Sequence, residues 1–175
     1  MVSNVRQNFH EECEASINKQ INQELQASYV YMALAAHYDR DDVAFPNAAK
    51  MFRAASHEER EHAEKLIDYQ NKRGGRVLFQ DIKTPTQIPG NATLAYGIKA
   101  ALDYEKLVNQ CLLDLHSVAS KHNDAQMTDF IEGEFLKEQV DAIKKLSDQL
   151  TNVQRVGTGL GEYMFDRMTL NEDSA

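Results

Sequence analysis

Hydrophobic residues recur at alternating steps of four and three along most of the chain, which is the spacing of an apolar face on an α-helix. One such seam comprises Ala48, Phe52, Ala55, Glu59, His62, Leu66 and Tyr69. Glu59 and His62 are its polar, ionisable members near the middle. Burying a carboxylate without a compensating partner is very costly, so either this helix is rotated or a positive group lies opposite.

Glycine and proline divide the chain into long uninterrupted segments. This punctuation predicts four long helices and a short C-terminal one. The predicted helices are A (about 8–39), B (about 46–73), C (about 91–121), D (about 124–153) and E (160 to about 170). No strand is predicted, and residues 76–79 are expected to form extended loop.

The connection between helices B and C, at residues 74–90, is too long for a simple turn. Its residues can extend on the order of 55 Å, more than the roughly 40 Å length of a long helix of the bundle. The links from A to B and from C to D are short, so each pair should form an antiparallel hairpin. We therefore predict an all-α fold in one domain, residues 1–175: a ferritin-like four-helix bundle with one long crossover connection and a short fifth helix.

Each of the other long helices also carries a polar residue at the middle of its seam. Glu24, Glu105 and Gln139 fall close to the midpoints of helices A, C and D, as Glu59 does in helix B. Midpoints meet at one height in a bundle of equal-length helices, so these groups would converge with the Tyr31 phenol. Repulsion between the carboxylates then requires protons or cations. Oxygen-rich ligation with one imidazole suits iron or manganese.

Two features leave the chemistry open at this point. The seams could be rotated, so that residues 58–65 form a solvated charged face. Helix D also offers Glu138 and Gln139 but no His, so a second metal would have fewer and weaker ligands than the first. Such unequal ligation of the two metals is more typical of a site through which ions pass than of a site that holds a permanent cofactor.

The composition favours a soluble protein of acidic balance, with 42% hydrophobic residues, 26% charged residues and a formal net charge of −8. No Lys/Arg-rich stripe is available to neutralise phosphates, so nucleic acid is not expected as a partner. The sequence shows neither a signal peptide nor a membrane-spanning segment, and Cys13 and Cys111 are isolated. A cytoplasmic protein without a disulfide framework is therefore expected.

Several sequence blocks resemble the heavy-chain, ferroxidase-bearing type of ferritin subunit. They lie at residues 38–44, 58–65, 78–82, 108–110, 129–132 and 162–163. The resemblance extends over nearly the whole chain, and it implies a di-iron site at which Fe(II) is oxidised. The residues at the matching positions are Glu24, Tyr31, Glu59, His62, Glu105 and Gln139. A first iron would be bound by Glu24, Glu59 and His62, and a second by Glu59 and Glu105, with Tyr31 and Gln139 as weak or neighbouring ligands.

The resemblance also assigns roles to acidic residues outside this site. Glu58, Glu61 and Glu64 would face the interior of a hollow shell of 24 subunits and collect ferric ions for the mineral. Asp129 and Glu132 would line threefold pores through which cations enter. The shell could also contain other ferritin subunits.

Helix E departs from the family pattern. Leu160, Met164 and Met168 share one face of a helix too short to be stable alone, so it must dock. In the family this helix lines the fourfold pore, where a His is often found at the place of Met168. We interpret the methionines as ordinary packing residues.

The leading hypothesis is a cytoplasmic iron-storage subunit that oxidises Fe(II) with dioxygen and deposits Fe(III) mineral inside the shell. One alternative is a storage shell subunit without its own oxidising activity, and the complete set of site residues argues against it. Another is a di-iron oxidase acting on an organic substrate. That alternative would favour a second His on helix D, where the sequence has none.

Overall fold

The computed structural model describes residues 3–172. The helices are α1 (Glu11–Tyr38), α2 (Pro46–Lys72), α3 (Leu94–Lys121), α4 (Ala125–Ile131), α5 (Lys137–Val156), α6 (Leu160–Met164) and α7 (Leu170–Glu172). A π-helical turn at Glu132–Leu136 joins α4 to α5, and another at Phe165–Thr169 joins α6 to α7. The predicted all-α bundle with a short C-terminal helix is confirmed, and residues 3–172 contain no strand.

Predicted helix D therefore consists of α4 and α5, and helix E of α6 and α7. None of the helices within residues 3–172 is long and apolar enough to cross a membrane. The single domain at residues 1–175 stays a prediction, and its ends, residues 1–2 and 173–175, lie outside the described part.

Side-chain caps set the starts of the first and third helices. His10 Nδ1 accepts a hydrogen bond of 3.1 Å from the backbone N–H two residues further on, and Thr93 Oγ1 accepts one of 3.2 Å from the N–H three residues further on. These bonds satisfy N–H groups that have no partner within the helix. As a result α1 begins at Glu11 and α3 at Leu94, each about three residues later than the sequence pattern predicts.

The interior of the bundle consists of two apolar clusters with a polar layer between them. One cluster includes Ile21, Leu66, Val108 and Phe135. The other includes Leu34, Phe52, Ala101 and Val153. On α2, α3 and α5 the polar mid-seam residues fall between the members of the two clusters, whereas on α1 Glu24 lies within the first cluster and Tyr31 belongs to the second. Apolar packing on both sides of the layer therefore fixes the height and rotation of the residues within it.

Side-chain amides of α1 hold the long crossover between α2 and α3. Asn18 accepts a hydrogen bond of 3.1 Å from the N–H of Leu78, and Gln26 both accepts from the N–H of Lys83 (2.7 Å) and donates to its carbonyl (2.9 Å). Asn22 lies between them and donates to two further crossover carbonyls at 3.3 Å. We call Asn18, Asn22 and Gln26 the amide ladder. The extended segment has no neighbouring strand to pair with, and the amide ladder provides hydrogen-bond partners for its backbone instead.

Gly97 lets α1 and α3 approach closely. A Cβ at this position would lie 2.6 Å from Cε2 of Tyr38, whose hydroxyl donates a hydrogen bond of 2.6 Å to the Thr93 carbonyl. Gly133, in the π turn before α5, has open space around it instead. The two helical glycines of the sequence thus occupy different environments, one of them essential to packing.

Candidate metal centre

The polar layer contains every residue that the sequence places at mid-height. These residues are Glu24, Tyr31, Glu59, His62, Glu105 and Gln139, and each is at most 7% exposed. They come from α1, α2, α3 and α5, because the apolar residues on either side of them orient each helix toward the core. Rotation of the helices into a solvated arrangement is therefore excluded for these six side chains.

Glu24, Glu59 and His62 lie close enough to hold one cation. One ligand atom from each lies within 4.8 Å of the other two, and His62 Nδ1 is 3.7 Å from Glu59 Oε2. Gln20 holds Glu24 in place by donating a hydrogen bond of 2.7 Å to its Oε1. The Oε2 atoms of Glu24 and Glu59 are buried and have no hydrogen-bond partner among the described residues. Buried carboxylate oxygens without donors are costly, and a bound cation would satisfy both.

The surroundings raise the pKa of both carboxyl groups. Burial, and then the neighbouring Glu59, raise the pKa of Glu24 well above its ordinary value. Burial, and then Glu105, raise the pKa of Glu59 to about 8. Both shifts arise because a low-dielectric site with several acidic groups favours their neutral forms. A cation that binds here must therefore displace protons.

Glu105 is held from two sides. The Tyr31 hydroxyl donates to Glu105 Oε1, and Gln139 Nε2 donates to Glu105 Oε2 at 2.9 Å and to the Glu105 backbone carbonyl at 3.0 Å. Burial, and then Glu105, raise the pKa of Tyr31 well above its ordinary value. Gln139 thus positions Glu105 through its amide nitrogen. This contact is more consistent with a residue that lies beside a metal position than with a strong metal ligand.

Glu138, which the sequence pattern gives only as a neighbour of Gln139 without an assigned role, also reaches the polar layer. Its Oε2 lies 3.4 Å from His62 Nε2, so His62 contacts a carboxylate at each ring nitrogen. Burial, and then Glu138, raise the pKa of Glu58. Glu138 directly precedes Gln139 in the sequence, but only the rotation of α5 against α2 shows that it reaches the site.

A cavity of about 460 Å³ lies beside the polar layer, between α2 and α5. Tyr31, Glu58 and Glu105 contribute to its wall, together with Lys50 and Lys145. This cavity is large enough for small molecules and brings one side of the site within reach of the surface.

The three glutamates of the predicted mineral-nucleating stripe are exposed on α2. Glu64 accepts a hydrogen bond of 3.2 Å from Arg60 Nε, and Glu58 borders the cavity beside the site. Glu61 lies between them, one turn from each. Ion binding by this stripe and its orientation toward a shell interior both stay predictions.

Asp129 and Glu132 are exposed one turn apart, where α4 meets the π turn. His116 of α3 lies beside them, with its Nε2 at 2.6 Å from Glu132 Oε1. No sequence pattern indicates this partner, because sixteen residues and a change of helix separate His116 from Glu132. The group combines carboxylates with an imidazole, and its place in a pore stays a prediction.

Comparisons with known proteins identify the family of the chain. The family described as Ferritin-like domain matches residues 14–156. The Ferritin-2 heavy chain of Schistosoma mansoni is 61% identical over 170 residues, covering 97% of this chain and 98% of that protein. Soma ferritin of Lymnaea stagnalis is 58% identical over 173 residues, covering 99% of each chain.

The similar proteins also include a light chain. The oocyte isoform of the Ferritin light chain of Xenopus laevis is 51% identical over 175 residues, covering 98% of each chain. Overall identity thus extends to both heavy and light chains, and the individual site residues must distinguish between them. The family match and the near-complete coverage show that the chain belongs to the ferritin family.

Proposed function

We propose that this chain is an iron-storage ferritin subunit with ferroxidase activity, which oxidises Fe(II) with dioxygen and deposits Fe(III) mineral inside a protein shell. The observation that carries the proposal is the buried polar layer, in which Glu24 and Glu59 each present an unpartnered oxygen beside His62. The names of the heavy-chain relatives support the same function. A shell subunit without its own oxidising activity would not need this costly layer.

Glu24, Glu59 and His62 bind the first Fe(II) in this proposal. Hard carboxylate oxygens and one imidazole suit ferrous and ferric iron, and Gln20 keeps Glu24 directed into the site. Glu59 lies between Glu24 and Glu105 in the layer, which suits it to bridge two ions. Binding releases protons from the two carboxyl groups with raised pKa.

Glu105 and Glu59 bind the second Fe(II), with Gln139 and Tyr31 beside them. Each ferrous ion gives up one electron, and the two electrons with two protons reduce dioxygen to hydrogen peroxide. Gln139 donates to Glu105 and adds no negative charge, so the second position has fewer anionic ligands than the first. Weak binding there lets the oxidised ion leave for the mineral. Glu58, Glu61 and Glu64 then collect it, which makes iron a substrate and a cargo of the protein.

An apolar surface supports assembly into a shell. Its members, on α1 and the crossover, are Tyr29, Met32, Leu78, Phe79 and Ile82, each more than 40% exposed. Large apolar patches of this kind mark contacts between proteins.

Family membership implies an oligomeric shell, and we propose 24 copies, alone or mixed with other ferritin subunits. In that shell Asp129 and Glu132 line the cation entry, and the protein acts in the cytoplasm.

The test is anaerobic addition of Fe(II) to the metal-free protein, followed by air, with oxygen consumption, hydrogen peroxide and particle size recorded. We expect rapid oxidation at about two Fe(II) per chain and then growth of a mineral inside the particle. His62→Ala should slow the first phase by at least about a hundredfold, because paired oxidation needs both positions. His57→Ala, an exposed histidine on the same helix, is the matched control. Equal rates for the parent and His62→Ala would instead indicate a shell without its own oxidising site.

A further inference from the structure

His10, Glu12 and His122 form a second cluster of potential metal ligands, at the surface. One ligand atom from each residue lies within 4.8 Å of the other two. The cluster is located where the start of α1 meets the turn between α3 and α4. Glu12 precedes Glu24 by twelve residues on the same helix, which places the cluster about 18 Å from the buried centre. The ferroxidase mechanism uses none of these three side chains.

The spacing of the donor atoms suits a transition-metal ion. His122 Nε2 lies 2.9 Å from Glu12 Oε2. Two ligands at right angles around a tetragonal Cu²⁺ ion, with bonds of about 2.1 Å, would be about 3.0 Å apart, and two ligands of a tetrahedral Zn²⁺ ion about 3.4 Å apart. The His10 ring stacks on that of His122 with centroids 3.6 Å apart, so a second imidazole is already beside the pair. Two imidazoles and one carboxylate favour borderline divalent ions over Mg²⁺ or Ca²⁺.

Other contacts hold the two segments of the cluster together. Asn8 Nδ2 donates a hydrogen bond of 3.1 Å to the Asn123 carbonyl. Arg73 forms two hydrogen bonds of 2.9 Å with the buried carboxylate of Asp124 and another of 3.0 Å with the Asn8 carbonyl. Because these bonds flank His10 and His122 on both segments, the backbone is positioned before any ion binds. Such preorganisation lowers the cost of assembling a site.

Three adjustments accompany binding. The hydrogen bond between His122 Nε2 and Glu12 Oε2 gives way to bonds from both atoms to the ion. Parallel stacked rings do not direct their nitrogens at one point, so the exposed ring of His10 turns and gives up its cap bond to the Glu12 N–H. The Lys121 ammonium, 2.7 Å from Glu12 Oε2, moves away, and its side chain is 63% exposed and has room to do so.

We propose that His10, Glu12 and His122 bind a divalent transition-metal ion of the borderline class, represented by Cu²⁺ and Zn²⁺, at a surface site separate from the iron-oxidising centre. Water completes the coordination of the ion on the exposed side. The bound ion links the start of α1 to the turn between α3 and α4. The proposal does not depend on ferroxidase activity, because no residue is shared.

The test is a Cu²⁺ titration of the full-length, iron-free protein followed by electron paramagnetic resonance, in which nitrogen splittings count the imidazoles on the ion. The parent should show a species with two nitrogens, which a large excess of Zn²⁺ displaces because Cu²⁺ binds such sites more tightly than Zn²⁺. His10→Asn with His122→Gln should remove this species and weaken binding at least about tenfold. Asn at position 10 retains the ability to cap α1. His57→Gln is the matched control and should keep the signal.

Lys121→Gln tests the proposal in the opposite direction. It removes a cation that competes for Glu12, so Cu²⁺ should bind this variant about threefold more tightly than the parent. An unchanged two-nitrogen species in the His10 and His122 double variant would overturn the proposal. Its loss in His57→Gln, or weaker binding to Lys121→Gln, would overturn it as well.

Discussion

The raised pKa of Glu59 makes the stability of the metal-free protein depend on pH. The folded chain holds a proton on Glu59 up to a pH of about 8, whereas an unfolded glutamate releases it near 4.5. The free energy of unfolding therefore falls as the pH rises through this window. Glu24 also makes the free energy of unfolding fall as the pH rises, because its pKa is raised as well.

We predict that Glu59→Gln flattens this dependence, since the amide is neutral at every pH and has a similar shape. Denaturant midpoints of metal-free parent and variant, measured between pH 5 and 8, provide the comparison. The midpoint of the parent should fall more steeply than that of the variant. Parallel curves would mean that Glu59 does not carry the effect.

Gln139 determines how firmly the second iron position holds its ion. Gln139→Glu replaces a donor to Glu105 by a second carboxylate, and each anionic oxygen strengthens the binding of a hard cation. We expect the variant to retain iron longer and to turn over more slowly after the first round, with assembly unchanged. The iron content of each protein before and after one oxidation cycle measures how long the second position retains its ion.

Gln154→Glu adds the same charge at an exposed position of α5 and serves as the control. If Gln139→Glu releases iron as fast as the parent, weak ligation is not what lets the ion move on to the store.

At the scale of the helices, the two helical glycines give opposite predictions. Gly97→Ala gains helix propensity but places a Cβ against the Tyr38 ring, and overpacking of this kind costs about 1–3 kcal/mol. Gly133→Ala has open space and should stabilise the protein by up to about 1 kcal/mol. Thermal unfolding of both variants beside the parent would show the difference. Equal shifts would contradict the role of Gly97 in helix packing.

The helices and the buried centre could be predicted because both depend on periodicity along one chain segment. Glu24, Glu59 and Glu105 interrupt apolar seams at mid-helix, and that interruption is visible in the sequence alone. The approach of Glu138 to His62 depends instead on the rotation of α5 against α2, which no local pattern specifies. The amide ladder could not be predicted for a similar reason. The sequence pattern of amides on one helical face is the same whether those amides contact solvent or a crossover segment.

The π turn at Glu132–Leu136 also had no signal in the sequence. It interrupts the α-helical hydrogen bonding of predicted helix D while the direction of the chain continues, so the hydrophobic pattern passes through it. Gly133 lies within this turn, and a glycine in a helical segment of the sequence indicates only a lower helix propensity. A local change of hydrogen-bond register cannot be distinguished from a helical glycine by periodicity alone.

At the scale of the whole molecule, the two apolar clusters on either side of the polar layer predict that assembly is independent of iron. Packing in both halves of the bundle is complete without a metal, and the exposed apolar surface around Phe79 is present in the single chain. Metal-free protein should therefore elute as a large shell in size-exclusion chromatography with light scattering. A monomer that assembles only after iron is added would rule this out.

The acidic pair at the start of predicted helix D gives a further prediction for the assembled protein. Asp129→Ala with Glu132→Ala should slow iron delivery at low Fe(II), because converging carboxylates concentrate cations at an entry. Oxidation at saturating Fe(II) should remain intact. Asp141→Ala with Asp148→Ala makes the same charge change at exposed positions of α5. Unchanged initial uptake in the first double variant would show that ions enter elsewhere.

The amide ladder limits where the chain can change length. Its three residues, four apart on α1, are matched to successive backbone groups of the crossover up to Lys83. One inserted residue before Lys83 would move every later carbonyl and N–H out of reach of its amide. Between Lys83 and Ile88 the backbone forms no hydrogen bonds with the amide ladder. The entropic cost of closing a longer loop there rises only slowly with its length. Within the crossover, we therefore expect insertions and fused peptides to be tolerated best in that short stretch.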